Sequence, residues 1–78
     1  MNSMIYEIDE RTGKIERKAE YSCEPKQALI CYIEQKKGNY NTWEYPKHID
    51  GVRESPTLKN HFYYDSIKEG KIFASYPC

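Results

Sequence analysis

Ser22–Gly38, SCEPKQALICYIEQKKG, decides the fold, because it is a segment with helical punctuation set between segments that alternate. Ser22 suits an N-cap, Pro25 is tolerated in a first turn, Lys36 and Lys37 suit a last turn, and Gly38 suits the left-handed position beyond it. Together these signals predict a helix of about four turns. Ala28, Leu29, Tyr32 and Ile33 make one apolar stripe, and Ile30 and Cys31 carry the apolar surface round the other side. A single sheet face is not expected to cover all of it, so either the following loop or a second copy of the chain is expected to cover the remainder. That surplus is the reason to expect a homo-oligomer.

Both flanks of the helix alternate. On the N-terminal side Met4, Tyr6 and Ile8 share one face, and Ile15, Arg17, Ala19 and Tyr21 alternate again after the break at DERTGK, which predicts a hairpin. Gly13 stands where a type I turn followed by a left-handed residue needs it. The intervening Lys14, Glu16, Lys18 and Glu20 read as a solvated set. On the C-terminal side Asn60–Asp65 and Lys71–Tyr76 read as strands joined by SIKEG and ended by Pro77, with Phe62 and Tyr64 on one face and Ile72, Ala74 and Tyr76 on another. The order ββα, long loop, ββ predicts an α+β two-layer sandwich in which one helix packs on an antiparallel sheet of about four strands. Residues 1–78 form this single small domain.

At 78 residues the chain is near the size at which a lone core supplies only roughly 3–5 kcal/mol. One Trp, eight Tyr and two Phe with 38% apolar residues indicate a folded globular chain. Twelve basic and twelve acidic side chains cancel, so no general field attracts polynucleotides or acidic membranes. Nucleic acid is therefore not the expected partner. No apolar run reaches the roughly 18 residues of a membrane span, and residues 1–8 lack the basic start and apolar block of a signal peptide, so the chain is expected to be cytoplasmic. Cys23, Cys31 and Cys78 contain no CxxC pair and read as reduced thiols, with Cys31 in the core. No metal or cofactor is implied: the histidines lack zinc-type spacing, and the four Gly lie outside any phosphate-cradling motif.

The long connector, residues 38–57, GNYNTWEYPKHIDGVRESPT, holds the candidate site as an ordered aromatic and polar loop. Asn39, Asn41 and Thr42 offer donors and acceptors beside Trp43 and Tyr45, a mixture that can stack on a planar group while bonding its edge. The competing reading makes Trp43 a plug over the helix and its polar neighbours turn-formers. Tyr45–Pro46 and Ser55–Pro56 stiffen the segment. Arg53 with Ser55 and Thr57 matches the oxygens of a phosphate or carboxylate, against the alternative that Arg53 pairs with a local acid. His61 and Tyr63, on the adjoining strand, complete the candidate set.

The residues thus predict a non-catalytic binding protein that captures a small polar, nucleotide-like ligand or one partner protein. Small stand-alone proteins of this type include inhibitors and nucleotide sponges carried by phages and mobile elements. Three rivals stand beside it: a protein-protein inhibitor with no ligand pocket, a small hydrolase or transferase using His48 or His61, and an RNA-binding accessory domain that stacks bases on HFYYD and KIFASY.

Overall fold

A computed structural model describes residues 2–38 and 49–78. The chain runs β1 (Ser3–Asp9), β2 (Ile15–Tyr21), α1 (Pro25–Lys36), β3 (Arg53–Glu54), β4 (Phe62–Ser66) and β5 (Lys71–Pro77). The expected α+β layering is present, one helix on an antiparallel sheet, and the sheet has five strands in the order β2-β1-β5-β4-β3. The additional strand, β3, is two residues drawn from the stretch read as a loop. Two residues show no periodicity, which is why no alternation announces it.

α1 begins at Pro25, with Glu24 in the extended conformation before it and no side-chain cap. Ser22 therefore does not cap the helix. The fixed φ of Pro25 starts the helix in place of a hydroxyl, because a first-turn N–H would have no intrahelical partner in any case. The helix ends as expected at Gly38, whose φ of 94° is the left-handed value. The first hairpin also closes as expected: Gly13 (φ 74°) donates to the Asp9 carbonyl at 2.7 Å, and the Asp9 carboxylate accepts from the Arg11 N–H.

The core lies between α1 and one sheet face. Ile5, Ala28, Leu29, Ile33 and Phe73 form its centre, with Ala19, Tyr21, Phe62 and Tyr64 packed around them. Burying Ile5, Leu29 and Phe73 contributes about 1.5–3 kcal/mol each. Polar pins hold both ends of the helix. Ser3 and Ser75, each fully buried, donate to the carbonyls of Cys23 (2.6 Å) and Pro25 (2.8 Å) at the N-terminal end. At the other end Tyr32 and Lys36 donate to Glu7, which also receives Lys71 from β5.

Two details of the alternation matter for function. First, the face of β1 turned to the helix carries Ser3, Ile5 and Glu7, so Met4, Tyr6 and Ile8 share the opposite face. Second, the β1–β2 register shifts between Ile5 and Tyr6, pairing Ile5 with Ala19 but Tyr6 with Arg17. This bulge divides the set Ile15, Arg17, Ala19 and Tyr21: the last two reach the core, and Ile15 and Arg17 pair with Ile8 and Tyr6 on the outer side. The helix surplus vanishes as well. Ile30 is 1% and Cys31 4% exposed within the single chain, so the apolar surface that suggested a second copy is already covered.

Candidate functional site

Among the described residues, no helix packs on the sheet face opposite α1. Its middle is one cross-strand row that passes through all five strands: Arg17 opposite Tyr6, Tyr6 opposite Ala74, Ala74 opposite Tyr63, and Tyr63 opposite Arg53. A small residue at the centre with a tyrosine on each side makes a trough. Beside the row lie Ile8, Ile15 and Ile72 toward one end of the strands, and Met4 and Tyr76 toward the other.

The loop between β3 and β4 arches over this trough. Ser55 organises it: its hydroxyl accepts from the backbone N–H groups of Thr57 (3.3 Å) and Leu58 (3.2 Å), and its own N–H donates to the His61 carbonyl at 2.7 Å. Leu58 is thereby held out at 55% exposure above the tyrosines. A groove of about 370 Å³ runs beneath the arch between Tyr6 and Tyr63, floored by Ala74 and Ile72 and edged by Pro56 and Leu58. A second hollow of about 430 Å³ shares Tyr6, Leu58 and His61 with it and extends to Ile15, Arg17 and Tyr76.

The aromatic groups brace one another. Tyr6 meets Tyr76 edge to face at 5.6 Å, and His61 stacks on the far side of the cluster against Tyr76 at 5.9 Å. Burial, and then the neighbouring Tyr76, push the Tyr6 phenol above its ordinary pKa, so it stays neutral. His61 Nδ1 lies 3.0 Å from the Lys59 carbonyl, which can only accept, so Nδ1 is the donor in that contact.

Of the nine expected site residues, Ser55, His61 and Tyr63 come together around the groove and Arg53 stands at the end of its central row. The Ser55 oxygen accepts from its own turn, and Arg53 lies in the edge strand β3. Asn39, Asn41, Thr42, Trp43 and Tyr45, with His48, lie outside the described residues. Tyr6, Ile15, Arg17, Leu58 and Tyr76 were missed by sequence reasoning. The available signal was that β1 and β5 are apolar on both faces: Ile5 and Phe73 on one, Tyr6, Ile8, Ile72 and Tyr76 on the other. One helix covers one sheet face, so among the described residues the second apolar face carries no helix.

Among the described residues no helix is long and apolar enough to cross a membrane. Comparisons of the chain with protein-family models, with curated proteins and with solved structures found no match.

Proposed function

We propose that this chain is a small non-catalytic binding protein that holds one partner protein against the open face of its sheet, as an inhibitor or sponge of that partner. The observation that supports this reading is the braced tyrosine trough with its arched loop: rigid aromatic area, an apolar groove and an exposed rim are the makings of an interface hot spot. Tyrosine suits the role because it gives large contact area at little loss of side-chain freedom. Capture of a small polar ligand has less support, since such sites need several convergent polar groups and the groove beneath the arch is lined mainly by apolar and aromatic side chains.

The test compares capture of host proteins by tagged wild type, by Ile15→Asp/Leu58→Asp, and by Ile67→Asp. Ile67 is 86% exposed but sits in the β4–β5 turn, so its substitution makes the same chemical change off the face. A partner retained by wild type and Ile67→Asp and lost by the double variant is the expected result. Equal retention, or equal loss, by both variants overturns the reading. Sedimentation of the free chain distinguishes a foreign partner from a second copy, which would raise the mass above 9.3 kDa.

A further inference from the structure

We infer that the partner presents carboxylates on either side of an apolar side chain, which Arg17 and Arg53 receive while the groove between Tyr6 and Tyr63 seats the apolar group. This inference rests on the proposed binding face and names the chemistry it recognises. The two arginines are the ends of the row that crosses the sheet, so their backbones are four strand spacings, about 19 Å, apart. Both are exposed, and neither joins an ion pair among the described residues.

That isolation contrasts with the rest of the charge on the sheet. Lys14 and Lys18 share an ion pair with Glu16, Lys36 and Lys71 share Glu7, and Lys36 also meets Glu69. Two acids on the same face are also engaged: Glu20 accepts from the Asn2 amide at 3.1 Å, and Asp65 is hydrogen-bonded to Glu10, whose carboxyl is held above its ordinary pKa by that contact. Among the described residues, the sheet face opposite α1 thus carries two guanidinium forks outside any ion pair, in a chain of zero net charge. Guanidinium groups at an interface rim steer and select a complementary partner more than they add raw affinity. An extended acidic segment of eight residues spans roughly 26 Å and reaches both.

The experiment titrates three fluorescent octapeptides in about 0.15 M salt. One carries two Glu at each end around a Phe-Leu centre, one replaces the Glu with Lys, and one keeps the Glu but replaces Phe-Leu with Ser-Ser. Wild type is expected to bind the first at least about tenfold more tightly than either other peptide. R17E/R53E is expected to reverse the preference between the Glu and Lys peptides, and L58D to lose both. Thermal melts check that each variant is folded, which is expected because all three positions are exposed. Equal affinity for the Glu and Lys peptides, no reversal in R17E/R53E, or no binding at all overturns the inference. If the peptides fail while the capture difference for Ile15→Asp/Leu58→Asp stands, the acidic recognition is wrong and the binding face is right; if that difference is also absent, both fall.

Discussion

Glu7 is 3% exposed in a strand whose other buried residues are a serine and an isoleucine, and it is stable there because three donors meet it. Burial alone would raise its pKa, but the hydrogen bonds from Tyr32 and Lys36, the Lys36 charge and the bond from Lys71 together hold it below the ordinary carboxylate value. The same contact, after burial, pushes the Tyr32 phenol upward, so Tyr32 remains a donor throughout the working range. A lowered folded-state pKa stabilises the native protein above the unfolded carboxylate value, and that stabilisation is lost as pH falls through the folded value. Urea midpoints measured from pH 7 down to pH 2.5 are therefore expected to drop steeply below about pH 4, where ordinary Glu titrates. In Glu7→Gln the midpoint is expected to be lower at pH 7 and to depend less on acid. A wild-type acid slope retained in Glu7→Gln would mean that other carboxylates carry the effect. The thiols differ by the same logic: burial raises Cys31 to about 11, so Cys78, exposed beyond the last strand, is expected to alkylate first in the native protein. Mass spectrometry of briefly treated protein checks the order.

α1 is docked by its ends as much as by its stripe. Ser22 looked like the cap because the hydroxyl precedes the apolar run by the right distance, yet the hydroxyls that matter come from β1 and β5 and reach the carbonyls at the helix entry. Ser75→Ala is expected to lower stability by about 1 kcal/mol, the usual net worth of a buried hydrogen bond, and Ser22→Ala to change nothing measurable. Denaturant titration reads this as a shifted midpoint with an unchanged slope for Ser75→Ala. A backbone constraint fixes the other flank: Gly51 has φ 96°, and a methyl group there would stand 3.2 Å from the Tyr64 ring that packs on the core. The turn before β3 is for that reason closed to other residues without strain. The two serine pins were not legible, since they join residues separated by 20 and 50 positions.

The described residues form one sheet with two apolar faces and one helix, which packs on one of them. Ile5, on the covered face, is fully buried, and Ile5→Ala is expected to cost about 2–4 kcal/mol. Ile15 and Leu58, at 62% and 55% exposure on the open face, are expected to tolerate Asp with a change under about 1 kcal/mol. Thermal melts of the three variants check the contrast, and a large loss in Leu58→Asp would make the arch part of the core. Composition, the alternation of β1, β4 and β5, and the Gly38 end of α1 were readable in the chain, because these depend on neighbours two to four residues apart. The α+β layering followed from them. What the chain could not show was which apolar face the helix would take: helix and sheet both carried surplus, and the surplus proved to lie on the sheet. The β2 bulge, the two-residue β3 and the alignment of Arg17, Tyr6, Ala74, Tyr63 and Arg53 into one row come from pairing between strands distant in sequence, and register of that kind is set by packing across the whole sheet rather than by any one segment.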